Sequence, residues 1–200
     1  FGSGVGLKPA LCESSQDGPG GCRLKRRMAA VLQSERGFAE VHSASHGDAQ
    51  RGTPVAAIRE VHAKLLATFA GGRTRQYEWR AEQLKGVKRL LVENSDAICA
   101  AMGSDLGRPK MESFLCEVTS TISEIDFALH NLRGWMDPEK VPTPILQQPG
   151  HSAVRREPKG VVLILSAWNF PVNLSLLPVV AALSAGNCCV LKPSEIAPAA

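Results

Sequence analysis

Val161-Val162-Leu163-Ile164-Leu165, Ser166-Ala167-Trp168-Asn169-Phe170-Pro171 and Cys188-Cys189-Val190-Leu191 decide the fold, because the whole stretch from Val161 to Leu191 holds no charged residue. The first and last pieces are short and apolar, the pattern of strands buried on both faces of a parallel sheet. Residues 172 to 185 between them have helical character, and Gly186-Asn187 ends that helix before the second strand. Pro158 and Gly160 turn the chain into the first strand. The result is one βαβ unit. An uncharged run of this length is also long enough to cross a bilayer. Asn169, Pro171, Asn173 and Pro178 would then lie near the middle of the span and Gly186-Asn187 would interrupt it, so the buried sheet is the better reading.

Three amphipathic helices are expected upstream. The first starts after Thr53, a good N-cap residue, with Pro54 at the first helical position. Val55, Ile58, Val61, Leu65, Leu66 and Phe69 form its apolar face, and Gly71-Gly72 end it. In the second, Tyr77, Leu84, Leu91 and Ile98 recur every seven residues, which over so short a length is a buried stripe rather than a coiled coil. Asn94-Ser95 recap it midway, and Gly107 with Pro109 ends it. The third spans about 111 to 135, with Phe114, Val118, Ile122, Ile125, Leu129 and Leu132 inward and nothing that suggests chemistry. Pro142, Pro144 and Pro149 mark a linker, and residues 151 to 157 read as a short polar strand. The fold class is α/β: an amino-terminal helical layer followed by the first βαβ unit of a Rossmann-like parallel sheet.

Residues 1–52 are rich in Gly, Ser and charge and show no period, so a disordered extension is expected there and the folded part at 53–200. Its acids Glu13, Asp17, Glu35, Glu40 and Asp48 fit poorly with an organelle transit peptide, although targeting by this segment stays open beside a cytoplasmic location. The net charge of +4 is spread among acids except at Arg23, Lys25, Arg26 and Arg27, which does not call for a nucleic-acid partner. The six cysteines, Cys12, Cys22, Cys99, Cys116, Cys188 and Cys189, include no CxxC and no His at metal-ligand spacing. Reduced thiols of an intracellular protein are expected, and no metal site. Cys188 and Cys189 are neighbours in a strand and point to opposite faces. The chain runs from Phe1 to Ala200 and stops just past a strand-like run, so truncation at both ends is expected, with Cys188 to Leu191 left as an uncovered sheet edge.

In an open parallel sheet, ligands bind beyond the carboxyl ends of the strands, and a right-handed crossover brings the loops after both strands to that edge. Here those loops are Trp168 to Pro171 and Lys192 to Glu195. Glu195 stands where a carboxylate can accept both hydroxyl protons of a ribose, with Lys192 as a cation beside it. A solvated turn is the alternative for this pair. The first turn has no G-x-G-x-x-G, so a pyrophosphate cannot lie on it in the usual way. Asn169, between strand and helix, either caps the helix or presents its carboxamide to a reacting oxygen. Residue patterns alone reach a βαβ unit and leave nucleotide binding open.

The segments Glu157-Pro158-Lys159-Gly160-Val161-Val162, Trp168-Asn169-Phe170-Pro171, Ala185-Gly186-Asn187 and Leu191-Lys192-Pro193-Ser194-Glu195 closely resemble, in order and spacing, the aldehyde dehydrogenase superfamily. Phe69, Gly72-Arg73-Thr74-Arg75, Trp79-Arg80, Gln83-Leu84 and Asp105-Leu106-Gly107 resemble its class 3 branch, which includes fatty-aldehyde enzymes. The resemblance covers about Val55 to Ala200. It implies an NAD- or NADP-dependent enzyme in which a cysteine thiolate attacks an aldehyde, hydride passes to the cofactor and water releases the acid. It implies Asn169 as the oxyanion donor. Ser166, Ala167, Trp168, Lys192, Ser194 and Glu195 would bind the cofactor, with Lys192 and Glu195 on the adenosine ribose. The family's unusual cofactor pose accounts for the missing glycine fingerprint.

The same resemblance implies a homo-oligomer, a dimer, with residues 151 to 157 in subunit contact, and membrane contact only through a carboxyl-terminal segment that this sequence lacks. None of the six cysteines stands in the nucleophile's motif, which would follow Ala200 together with the water-activating glutamate. The chain is therefore expected to be the amino-terminal part of the NAD(P)-binding domain and inactive by itself. The alternatives are a truncated, non-catalytic product acting in subunit association and a membrane-anchored helix. Neither the aldehyde nor the choice between NAD and NADP can be read from these residues.

Overall fold

The computed structural model describes residues 38–40 and 54–200. The expectations for the rest of the extension, with its basic cluster, Cys12 and Cys22, and for Thr53 as a cap lie outside the described residues. In chain order the elements are β1 (Phe38–Glu40), α1 (Val55–Ala70), a 3₁₀ turn (Arg73–Arg75), α2 (Tyr77–Glu93), α3 (Ser95–Leu106) and α4 (Lys110–Ser113). A π-helical segment (Phe114–Thr119), α5 (Ser120–Met136), β2 (Glu139–Val141), a 3₁₀ turn (Ile145–Gln147), β3 (Ser152–Val154), β4 (Val161–Leu165), α6 (Asn173–Ser184) and β5 (Cys188–Lys192) follow.

The βαβ unit forms as expected, except that its first strand is not buried on both faces: Ile164 is buried, while Leu163 and Leu165 are exposed. Strands β4 and β5 pair in parallel, with Val161 opposite Cys188 and Leu165 opposite Lys192. The Ser166 N–H extends the ladder by donating to the Lys192 carbonyl at 3.0 Å. On the other side of β5 lies β1, also parallel, with Phe38 opposite Cys189 and Glu40 opposite Leu191. The edge expected to be bare is thus covered, by residues expected to be unstructured. A three-residue strand held through its backbone leaves no side-chain period to read, so only the tertiary pairing reveals it.

The proline-rich segment is also more ordered than a linker. Strands β2 and β3 form a two-stranded antiparallel ribbon, Glu139 opposite Val154 and Val141 opposite Ser152. The Ser152 N–H donates to Thr143 Oγ1 at 2.8 Å inside the connection. At its tip Ile145 and Leu146 are 86% and 96% exposed.

The core lies between α2, α3, α5, α6 and the sheet. Leu84, Leu91 and Ile98, three members of the seven-residue stripe, are fully buried, together with Met102, Ile125, Leu132, Leu176 and Leu183. Each such side chain contributes about 1.5–3 kcal/mol of burial. The helix breaks at Asn94 as expected, but the Asn94 amide donates back to the Leu90 carbonyl at 2.7 Å instead of capping α3. Gly107, at φ 64°, ends α3 in the left-handed conformation.

Two apolar faces differ from their sequence reading. On α1 only Leu65 is buried; Val55, Ile58 and Leu66 are exposed, because among the described residues this helix packs on one side only, against the sheet and the 3₁₀ turn that follows it. In the third helical stretch the π segment changes the phase. A π turn closes i→i+5 hydrogen bonds and so adds a residue to the turn. Phe114 and Leu115 consequently face outward, while Val118, Ile125 and Leu132 face inward and Glu117 is fully buried.

Arg80 ties the helical layer to the end of α6. Its guanidinium is buried and donates to the Thr74 and Ser184 carbonyls, each at 3.0 Å. It lies directly over Gly186, where a Cβ would come within 2.4 Å of Nη2. With φ at 84° as well, that position admits only glycine. Next to it, Asn187 Oδ1 accepts the Gly160 N–H at 2.9 Å and joins the starts of β4 and β5.

Candidate functional site

The carboxyl edge of the sheet carries two loops, and the residues singled out from sequence are divided between them. After β4, the Ser166 hydroxyl bonds the Ser175 hydroxyl at 2.6 Å and so holds the turn closed. Ala167 is half-buried, and Trp168 and Asn169 are exposed. The Asn169 carboxamide makes no hydrogen bond with any described residue; only its backbone carbonyl is engaged, accepting from Arg108 Nη2 at 2.5 Å.

Asn169 is therefore not a helix cap. Helix α6 begins four residues later, and its free N–H groups are capped by Glu117. Glu117 Oε2 accepts from Asn173 N at 2.7 Å and from Val172 N at 3.2 Å. Glu117 Oε1 accepts from Arg108 Nη1 at 2.7 Å. The Arg108 guanidinium also lies 4.5 Å from the Phe170 ring centroid, a cation–π contact. The Asn173 amide donates to Ser120 Oγ at 2.9 Å and Thr121 Oγ1 at 3.1 Å, closing the anchor on the α5 side. Burial pushes the Glu117 carboxyl above its ordinary value, against the opposing effect of the Asn173 N–H and the Arg108 guanidinium.

Arg108 and Glu117 were not among the expected site residues. The one signal available was an acid set directly before Val118 on a face otherwise destined for the core.

After β5, Lys192 Nζ pairs with a Glu195 carboxylate oxygen, and both side chains are exposed. The ammonium holds the Glu195 carboxyl below its usual value. Ser194 is buried, and its Oγ accepts the Ile196 N–H at 3.3 Å, which shapes the turn. Asp105 Oδ2 accepts from Ala199 and Ala200 N–H at 2.9 and 3.0 Å and fixes the chain beyond.

The cysteines lie elsewhere. Cys188 pairs with Val161 at the opposite end of the strands from Lys192, roughly 13 Å away at the usual rise of a strand. Cys188 and Cys189 are fully buried, and burial pushes the Cys189 thiol up to about 12. Neither is a thiolate at neutral pH. Among the described residues no group of three or more His, Cys, Asp or Glu is arranged to hold a metal ion, and no helix is long and apolar enough to cross a membrane.

Residues 38–200 match the model of the aldehyde dehydrogenase family. The chain belongs to that family. It is 47% identical over 137 residues to aldehyde dehydrogenase family 3 member I1, chloroplastic, of Arabidopsis thaliana, an alignment covering 68% of this chain and 25% of that protein. It is likewise 47% identical to human aldehyde dehydrogenase family 3 member B1, covering 66% of this chain and 28% of the relative. The chain thus spans about a quarter of the length of these relatives. Among solved structures, the substrate-bound state of Staphylococcus aureus AldH aligns at 31% identity with a TM-score of 0.68, over 72% of this chain and 31% of that one. A 3,6-anhydro-L-galactose dehydrogenase in complex with NAP aligns at 27% identity with a TM-score of 0.57, over 78% and 30%. The helical layer and the βαβ unit are accordingly part of an aldehyde dehydrogenase fold.

Proposed function

We propose that this chain supplies the oxyanion donor and part of the cofactor site of an NAD- or NADP-dependent aldehyde dehydrogenase that oxidises aldehydes to carboxylic acids. In this reading residues 53–200 are the amino-terminal part of its NAD(P)-binding domain, and the segment 1–52 precedes it as an extension that contributes the edge strand Phe38–Glu40 to the sheet. The observation that carries the proposal is the Asn169 carboxamide, left free at the carboxyl edge of the sheet while another side chain caps the helix beside it. A carboxamide in that state is available to donate to an oxygen that becomes anionic when a thiolate adds to an aldehyde. It carries no charge of its own, so it stabilises the anion without discouraging hydride departure. The thiolate would come from a cysteine that is none of the six in this sequence.

The residues past β5 fit a nicotinamide dinucleotide. Glu195 is ionised, exposed and steadied by Lys192, a donor and acceptor pair suited to the two hydroxyls of a ribose. Trp168, 54% exposed, offers an apolar surface at the other loop, and the backbone of Ser166, Ala167 and Ser194 lines the turns between. When bound, the cofactor supplies the hydride acceptor. The repulsion of Glu195 for a 2′-phosphate favours NAD over NADP.

The exposed β2–β3 ribbon, with Ile145 and Leu146 at its tip, supports a second role in contact between subunits of a homo-oligomer, a dimer in the simplest case. The test of the main reading is steady-state oxidation of aldehydes by the complete enzyme carrying Asn169→Ala. A loss of kcat without loss of cofactor affinity is expected, and native kcat refutes the assignment.

A further inference from the structure

The turn that carries Asn169 is held from outside the βαβ unit by two side chains of the helical layer. Arg108 follows the left-handed end of α3 at Gly107, and Glu117 lies in the π segment. Together they engage four features of the turn: the Asn169 carbonyl, the Phe170 ring, the Val172 N–H and the Asn173 N–H. The two are bonded to each other at 2.7 Å, and Glu117 is fully buried. Arg108 Nε also faces Glu112 Oε1 at 3.4 Å, so the guanidinium is shared between two carboxylates and the carbonyl of one short turn, and a packing role alone does not require that beside a buried carboxylate. An ionised pair in the interior costs desolvation that a hydrophobic pair of similar volume would avoid.

We propose that Arg108 and Glu117 are positioning residues for Asn169. Arg108 fixes the carbonyl of Asn169 itself, and Glu117 fixes the first turn of α6 three and four residues further on, so the backbone running from Asn169 into α6 is pinned at both of its ends. This rests on the reading of Asn169 as oxyanion donor, whose effect depends on where its N–H is aimed. The π segment is what makes the arrangement available. A regular helix through residues 114 to 119 would bring a different residue to face Val172 and Asn173.

The experiment compares, in the complete enzyme, Glu117→Gln, Arg108→Lys, Asn169→Ala and the Glu117→Gln/Asn169→Ala double variant. Glutamine has the shape of glutamate, but its NH₂ must face either Arg108 or the two backbone N–H groups, setting donor against donor. Glu117→Gln is expected to accelerate amide exchange at Val172 and Asn173 about tenfold or more. It should lower kcat about 10- to 100-fold, as small misplacements of a reacting group do, and leave the dissociation constant of the cofactor within about twofold. In the Asn169→Ala background it should cost nothing further. Arg108→Lys keeps the charge but not the forked donation and is expected to fall between native and Glu117→Gln. As the milder change, it carries the same readouts if Glu117→Gln does not fold.

Unchanged exchange at Val172 and Asn173 overturns the positioning role whether or not Asn169 is catalytic. Accelerated exchange with rate losses that multiply in the double variant overturns it as well, since the pair would then act independently of Asn169. If Asn169→Ala keeps native kcat, the oxyanion reading fails and the catalytic part of this inference fails with it. Exchange then still decides whether the pair holds the turn, so the two failures are told apart.

Discussion

Replacing Asn169 by alanine and by aspartate in the complete enzyme separates catalysis from stability, because this side chain bonds to none of the described residues. Asn169 is exposed and its carboxamide has no partner among the described residues. Truncation to alanine removes no hydrogen bond and opens no cavity, so its effect on stability should stay within about 0.5 kcal/mol, a shift of no more than about 2 °C in Tm. Loss of one donor aimed at a developing oxyanion lowers kcat by about 10²- to 10³-fold, or about 2.7–4 kcal/mol of barrier. Aspartate keeps the size but turns an acceptor's negative charge towards the oxyanion, so Asn169→Asp should be at least as slow as Asn169→Ala. A capping role would produce the opposite order, with aspartate as good as asparagine and alanine costing about 1 kcal/mol of stability. The assay is initial-rate oxidation of a saturating aldehyde, followed by NADH absorbance, with thermal melts of the same preparations. An Asn169→Asp enzyme with near-native kcat, or an alanine variant that loses Tm and keeps kcat, would refute the reasoning.

Other expectations follow from the surrounding geometry. Glu195→Gln should weaken NAD more than NADP, changing their relative affinity about tenfold, and equal affinities before and after would show that Glu195 only faces solvent. Because Lys192 holds the Glu195 carboxyl below its usual value, Lys192→Met should move the acid limb of NAD binding to higher pH, as a binding titration against pH would read. Gly186→Ala should destabilise by about 1–3 kcal/mol, since it forces a Cβ at φ 84° into the Arg80 guanidinium; an unchanged denaturation midpoint would contradict this packing. Iodoacetamide at pH 8 should leave Cys188 and Cys189 unmodified until the protein is denatured, and mass spectrometry showing native labelling of Cys189 would be inconsistent with its burial and elevated thiol pKa. Burial raises the Glu117 carboxyl above its unfolded value, so the folded state binds more protons than the unfolded state between those two values. Its contribution to stability is full below the ordinary carboxylate value and is lost as pH rises through the elevated one. The Tm of the native protein relative to Glu117→Gln should therefore decline across that window, and a flat difference would argue against it.

The sequence by itself determined the βαβ unit, its boundaries at Gly160 and Gly186-Asn187, and the buried stripe Leu84, Leu91, Ile98, because these rest on local regularities: an uncharged run, a period and a positive-φ glycine. It also placed Asn169, Lys192 and Glu195 at one edge, since parallel strands joined by a right-handed crossover leave no other arrangement. What it left open was which group caps α6, and that was decided by Glu117, which lies 56 positions before Asn173 in the chain and reaches the helix only through tertiary packing. The outward turn of Phe114 has the same origin, because a single π turn shifts the phase of a helix without altering its composition. The strand Phe38–Glu40 exists through backbone pairing to Cys189–Leu191, a contact made by N–H and C=O groups that every residue carries and that no side-chain pattern can announce.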